Sequence, residues 1–568
     1  MPTRASLRHA AARMLDPLCS MGLWLGTLCF AASLTPSLIP RDALLQGVLS
    51  GIAFAAGYGV GVLMRWLWIF LGLPRLRDLA VGRVATGLAV VVCAAMVIGF
   101  LAQASGWQND IRARMGMEAV ASARPVFVGL VAGGVALVLL LLGRLFGGVV
   151  YVLSQRLGRH LPRRVSLIVS VALAGLLFWS IGNGVVFEAG LRALDSSYRQ
   201  LDSVVDTALD PPLDPLKTGS EASLLGWSGL GRMGRAAVAA GPTQVEIEAL
   251  SGQPAQEPLR IYVGLNSAPD IRARAELALA EMIRVGAFER STLVINTPTG
   301  TGWLDPASQK AMEYLQRGDV ATVSMQYSYL ASWLALMVDP TYGADSARAL
   351  FAAVHGHWRT LPRDQRPRLY LHGLSLGALN SDLSVDLFDI IGEPFDGALW
   401  AGPPFPSRTW RHATLGRDPA TPAWRHATLG RDPATPAWRP RYRDGSVVRF
   451  MTQDGAPAGD AAWGGTRIVY LQYPSDPITF FEAGSALRRP DWLAGPRADD
   501  VSDSLRWFPL VTFLQLGMDM AVATSTPTGY GHVFAADDYV DAWIATTGAT
   551  WDADSVAALK ATLAAEGL

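Results

Sequence analysis

The sequence predicts two unlike halves: an N-terminal all-α transmembrane bundle of about five helices, then an α/β domain whose mostly parallel sheet is covered by helices on both faces. Three observations predict it. Half of the 568 residues are hydrophobic, too many for a purely soluble chain of this length. The apolar residues before about residue 190 fall into five runs, each near the roughly 20 residues a spanning helix needs. From residue 259 the texture changes to short β-rich runs alternating with amphipathic helices, the pattern of a parallel sheet. Charge excludes some functions. Lys plus Arg and Asp plus Glu number 48 each, so no bulk charge recruits nucleic acid. The three cysteines, Cys19, Cys29 and Cys93, all lie in apolar N-terminal stretches, which leaves the rest of the chain without a disulfide framework or a cysteine metal site.

The five runs are 18–38, 44–64, 85–106, 125–143 and 165–187, within a transmembrane domain assigned to residues 1–192. Arg4, Arg8 and Arg13 before the first run, with Ala31-Ala32-Ser33 inside it, imitate a cleavable signal. The four later runs favour an uncleaved anchor. An arginine at mid-bilayer costs about 3 kcal/mol even on the lenient insertion scale, so helices two and four are expected to end just before Arg65 and Arg144, with the next segments lying along the interface. If the N-terminus is cytoplasmic, the inner segments carry Arg4, Arg8, Arg13, Arg75, Arg77, Arg83, Arg156, Arg159, Arg163 and Arg164, and the outer ones Arg41, Arg112, Arg114, Arg124 and Arg192. The inner excess orients the chain N-terminus inward, and five crossings then place everything after about residue 190 outside the cytoplasm.

Residues 193–258, rich in Pro, Gly, Asp and Ser, read as a linker and packing segment. Its "GLGRMG" spells Gly-x-Gly-x-x-Gly at Gly229, Gly231 and Gly234. No strand precedes it, so it reads as a flexible connection and not a dinucleotide fingerprint.

The α/β domain is assigned to residues 259–568. Strands are expected at "LRIYVGL", "STLVIN", "VATVSMQYSY", "RLYLHG" and "TRIVYLQY", with helices near 270–286, 305–317 and 343–358. Ligands of such sheets bind beyond the C-terminal strand ends. There "LYLHGLSLGALN" runs strand, tight turn, helix, with Gly373 and Gly377 flanking Ser375. Glycines on either side let the turn tighten while the serine hydroxyl stands exposed, which is the context of a nucleophile elbow. The pattern alone is modest, because turns collect Gly and Ser.

Its partners strengthen it. In this architecture an acid and then a histidine come after the serine in the chain. Only His412, His426 and His532 come after Ser375, and the first two occupy equivalent places in a perfect duplication of "WRHATLGRDPATPA" at 410–423 and 424–437. His532, in the Gly-rich "TGYGHVF", is the expected general base. Asp476 directly follows the "TRIVYLQY" strand; Glu482 and Asp454 do not follow a strand. The oxyanion donors are expected to be the backbone N–H of Leu376 and N–H groups of the loop "INTPTGTGW", chiefly Thr299 and Gly300, with Thr301 and Gly302 beside them. His355 and His357, two apart on a helix, point to different sides, so no metal site is expected there. No cofactor is expected. "WFPLVTFLQLGMDMAVA" near 507–523 reads as core or acyl pocket, and residues 403–465 as a cap or insertion.

Taken together, the multi-span N-terminus with "GLGRMGR", "TPTGTGW", "QYSYLASW", "GLSLG", "YLQYPSDP", "RWFPLVTFLQ" and "GYGH" resembles the bacterial membrane-anchored α/β-hydrolase family long catalogued as a domain of unknown function. The resemblance covers nearly the whole chain. It implies an α/β-hydrolase fold and maps Ser375, Asp476 and His532 onto the family's triad positions. Leu374 stands where the family more often has Glu, and Tyr530 where it more often has His; both lie on the rim of the expected site. The expectation is a membrane-anchored serine hydrolase for an ester of a lipid or envelope component. An acyltransferase would use the same acyl-enzyme with an alcohol in place of water. A scaffold or transport-associated role would require strongly polar residues within the spans, where Asn183 is the notable one.

Overall fold

The computed structural model describes residues 18–72, 81–182, 184, 209–330, 332, 335, 342–415, 442–453, 455, 461–493 and 497–568. The chain divides into two units, Met1–Ala193 with Glu482–Val522, and Leu194–Phe481 with Ala523–Leu568. Asn183 lies outside the described residues, as does the second copy of the duplication with His426.

The first unit is helical: α1 (Ser20–Ser33), α2 (Ala43–Phe70), α3 (Val81–Arg114), α4 (Pro125–Leu157) and α5 (Arg163–Ser180). Each of the five expected apolar runs contains a helix, and four of these, α2 to α5, are long and apolar enough to cross a membrane. At 14 residues, α1 is only about 21 Å long against a hydrocarbon core of about 30 Å. Beyond α1 the chain leaves the helix but stays apolar, with Leu34, Leu38 and Ile39 buried. Two boundaries differ from expectation: α2 runs on through Arg65 and α4 through Arg144. The helical residues after each arginine are mainly apolar and include no proline, so nothing breaks the helix, and a long arginine side chain can carry its charge toward the interface. Glycines set the closest helix contact. A Cβ at Gly57 would fall 2.5 Å from the Leu25 carbonyl oxygen, and one at Gly61 2.5 Å from Gly22 Cα, the close backbone approach that small residues four apart permit.

The second unit starts with packing elements. The Gly-rich segment expected to be flexible is a tight entry into α6 (Gly231–Ala239), where a Cβ at Gly234 would meet the Tyr262 ring at 2.4 Å. Next comes α7 (Gln244–Ser251), opened by a Thr243/Glu246 capping box. The sheet and its covering helices then alternate: β1 (Leu259–Val263), α8 (Ile271–Arg284), β2 (Thr292–Thr297), α9 (Pro306–Leu315), β3 (Val320–Met325), α10 (Tyr342–Trp358), β4 (Arg368–Leu374), α11 (Leu376–Asp382), α12 (Leu387–Ile390), β5 (Gly397–Ala401), α13 (Arg408–Leu415), β6 (Val448–Met451), β7 (Arg467–Leu471) and α14 (Pro477–Phe480). All seven strands are parallel, in the order β1-β3-β2-β4-β5-β7-β6. Strands β1, β2, β3 and β5 are buried along their whole length, as expected where both sheet faces are covered. The stretch 403–465 expected as a cap or insertion contains α13 and the edge strand β6.

After α14 the chain departs from this unit. Helix α15 (Val511–Ala521), the apolar stretch expected to serve the core or an acyl pocket, belongs to the helical unit instead. Asp519 accepts from the Leu38 N–H at 3.1 Å and pairs with Arg41 at 3.3 Å, both side chains wholly buried. Gln515 donates to the Thr35 carbonyl at 3.0 Å. Arg41 in turn bonds Gln46 of α2 at 3.1 Å, and its N–H reaches Gln108 of α3 at 2.9 Å. The chain then returns to the sheet through α16 (Ala536–Thr547) and α17 (Ala553–Ala565), where Trp543 donates to Ser308 Oγ at 3.0 Å.

Candidate active site

Strand β4 runs between β2 and β5, and Ser375 follows its last residue directly. The turn is as tight as the sequence suggested. Ser375 has φ 56° and ψ −124°, a conformation that a side chain enters only at a cost of about 1–3 kcal/mol. Its N–H donates to the Ala401 carbonyl at 2.9 Å, which pins the turn to the end of β5. Both flanking glycines are required by space: a Cβ at Gly373 would sit 2.4 Å from Gly377 C, and one at Gly377 2.3 Å from the Thr297 carbonyl oxygen. The start of α11 is thereby pressed onto the end of β2.

Asp476 lies beyond β7, fully buried, as the N-cap of α14. Its Oδ1 accepts from the Ile478 N–H at 2.8 Å; its Oδ2 accepts from Thr479 Oγ1 at 2.9 Å and lies 2.7 Å from His532 Nδ1. His532 is 6% exposed. Its Nε2 is buried and has no hydrogen-bond partner among the described residues. The imidazole lies against Gly402, where a Cβ would be 2.5 Å from His532 Cε1. Ala401 and Gly402 therefore touch both halves of the site, one holding the Ser375 backbone and the other the histidine ring. Ser375 and His532 are not hydrogen-bonded in this conformation, as is common before substrate aligns such groups. Of the rival acids, Glu482 belongs to the helical unit and Asp454 lies outside the described residues.

The oxyanion expectation meets a complication. The N–H of Leu376 makes no hydrogen bond among the described residues, as befits the first residue of a helix. The N–H of Thr299, however, donates to the Trp303 carbonyl at 3.0 Å, and that of Gly300 to Ser332 Oγ at 3.1 Å. Gly302 donates back to Thr299 at 3.0 Å. The loop is closed on itself and on the "QYSYLAS" segment, so neither donor faces the nucleophile turn unpaired.

Gly402, Tyr473, Ser475 and Asp305 escaped the sequence reading. Gly402 was invisible because its role is purely a matter of space. Tyr473 and Ser475 precede the acid in a motif that reads as a turn. Desolvation pushes the Asp305 carboxyl up to about 6, an effect opposed by nearby His532; it accepts from Tyr539 at 3.0 Å. His355 and His357 are structural: the first stacks on Phe351 and bonds the Glu393 carbonyl, the second packs on Phe288.

A serine in a strained turn beyond the central strand of a seven-stranded parallel sheet, with an Asp–His pair beside it, is the arrangement for which a family match becomes meaningful. The profile of the α/β-hydrolase family matches residues 259–427 and 420–559, and that of the family's N-terminal region matches residues 34–242. The chain belongs to the α/β-hydrolase family. Within this α/β-hydrolase the match breaks inside the 14-residue duplication, where a repeated copy interrupts an alignment. Neither a curated protein nor a solved structure matches the chain.

Proposed function

We propose that this α/β-hydrolase is a membrane-anchored serine hydrolase that cleaves carboxylic esters of a lipid or cell-envelope component outside the cytoplasm. The observation that carries the reading is the 2.7 Å Asp476–His532 pair set against the same β5 terminus that holds the Ser375 turn. In this mechanism His532 Nε2 takes the Ser375 proton as Oγ attacks the ester carbonyl. Asp476 accepts from Nδ1–H, holding the ring in the tautomer that leaves Nε2 basic, and stabilises the imidazolium. The Leu376 N–H is one donor to the oxyanion. Collapse of the intermediate expels the alcohol, which receives its proton from His532, and leaves an acyl-Ser375. Water activated by the same histidine then releases the acid.

Support for a lipid or envelope ester is the apolar N-terminal unit, which holds the enzyme at a bilayer. Support for the extracytoplasmic side is the arginine asymmetry with five crossings, α1 and the apolar residues that follow it making the first; the four long helices alone would leave the α/β domain on the side of the N-terminus. The test is reaction of the detergent-solubilised full chain with a fluorophosphonate, comparing wild type with Ser375→Ala and His532→Ala. Labelling of wild type and loss in both variants is expected; a folded wild type that stays unlabelled overturns the proposal. Product analysis with added alcohol distinguishes hydrolysis from acyl transfer.

A further inference from the structure

The loop carrying His532 holds two glycines in the left-handed region, Gly529 at φ 89° and Gly531 at φ 58°. Such a loop is permissive by itself. Its internal hydrogen bonds are local and hold the backbone only: Gly529 N–H to the Val533 carbonyl at 2.8 Å, Val533 N–H to the Tyr530 carbonyl at 3.1 Å, Tyr530 N–H to the Pro527 carbonyl at 3.2 Å, Thr526 Oγ1 to the Tyr530 carbonyl at 2.7 Å and the Ala523 carbonyl at 3.4 Å, and His532 N–H to the Ala523 carbonyl at 3.1 Å; none of them reaches the imidazole. A working histidine needs its ring set to within about half an ångström, so further restraint has to come from outside the loop.

It comes from the three residues around Pro474. Asp476 bonds the imidazole itself. Ser475 Oγ accepts the N–H of Gly531, the residue before His532, at 2.9 Å. Tyr473 Oη accepts the N–H of Ala535 at 2.9 Å and donates to the Asp538 carboxylate. Phe534 fills the space between, its ring 4.6 Å from that of Tyr473 and 5.6 Å from that of His532. Tyr473 and Ser475 are both fully buried, so water does not substitute for either acceptor. One short segment thus grips the histidine loop before, at and after the imidazole.

We infer that Tyr473 and Ser475 are positioning residues for His532, fixing the loop backbone at the register where Nδ1 meets Asp476. The inference rests on the triad reading above. It accounts for the otherwise unexplained pairing of "YPSD" with "GYGHVF": Asp476 orients the ring, while its two neighbours orient the backbone that carries the ring. Asp538 belongs to the same device, because its carboxylate fixes the direction of the Tyr473 hydroxyl and leaves the oxygen lone pair for Ala535.

The experiment compares wild type, Tyr473→Phe, Ser475→Ala and the double variant of the full chain in detergent. Two quantities are read: the rate constant and final extent of fluorophosphonate labelling, and kcat and KM for p-nitrophenyl butyrate normalised to the labelled fraction. The expected result is a fall of about 10–100-fold in the labelling rate constant and in kcat for each single variant, with KM and final extent unchanged. Normalising to the labelled fraction removes any molecules that fail to fold. If extent and melting temperature fall while the rate constant stays at the wild-type value, the residues serve only folding and the inference is overturned. If wild type itself does not label, the triad reading fails and this inference with it. Labelling of wild type with unchanged rates in the variants leaves the triad standing and removes only the positioning role.

Discussion

Asp519→Ala should be among the most damaging substitutions in the helical unit. The carboxylate pairs with Arg41 at 3.3 Å and receives the Leu38 N–H at 3.1 Å, and both side chains of the pair are wholly inaccessible. Truncation strands a buried guanidinium whose Nη2 already has no partner among the described residues. Removing one member of a buried pair costs about 3–5 kcal/mol, and the orphaned Leu38 N–H adds about 1 kcal/mol more. At about 2–4 °C per kcal/mol for a unit of this size, the melting temperature should fall by roughly 10–20 °C. Removing both charges with apolar side chains of similar volume, as in Arg41→Met with Asp519→Leu, should recover most of that loss. Thermal unfolding of the solubilised full chain, monitored by tryptophan fluorescence, reads both. A single variant melting within about 2 °C of wild type, or a double variant worse than the single, would refute the claim that this pair locks α15 into the helical unit.

The same geometry sets other outcomes. Gly402→Ala places a Cβ 2.5 Å from His532 Cε1 at a backbone φ of 48°; kcat on p-nitrophenyl butyrate should fall by at least about 100-fold, a 1 Å displacement being enough for that, and an unchanged kcat would show that the ring can yield freely. Ser332→Ala releases the Gly300 N–H now held at 3.1 Å; if Gly300 serves the oxyanion, kcat should hold or rise, whereas a fall of about 100-fold would assign the donor to the serine hydroxyl instead. Burial pushes the Asp538 carboxyl up to about 6. A raised carboxyl favours the folded state fully below its unfolded value near 4, and that advantage is lost as pH rises toward about 6. The melting temperature of Asp538→Asn relative to wild type should therefore climb between about pH 4 and 6 and level off above; a difference independent of pH would remove the carboxyl from the linkage.

Much of the fold was legible because period and punctuation are local. The strands "LRIYVGL", "STLVIN" and "RLYLHG" and the helices between them stood out by apolar runs bounded by turn residues, and Ser375 by two glycines whose necessity the packing then displayed. Asp476 and His532 were legible through chain order, since the acid had to come after a late strand and one histidine fell in a suitable loop. The boundaries at Arg65 and Arg144 misled, because charge alone does not stop a helix whose next residues continue to favour it. The engagement of the Thr299 and Gly300 N–H groups was not legible, because a Gly-rich loop advertises donors without revealing what already occupies them.

The two-part architecture, the alternation of strands and helices, and the identity of the three residues on which the proposed chemistry depends are all present in the linear chain. Each is written in hydrophobic period, turn chemistry or order along the chain, quantities that need no knowledge of distant neighbours. It took the folded molecule to establish that α15, between Asp476 and His532 in the chain, packs with the helical unit, that Gly402 makes room for the imidazole, and that Tyr473 and Ser475 grip the loop around it. Those contacts join residues remote in sequence, and their energies come from burial and hydrogen-bond geometry that exist only once the chain has closed around them.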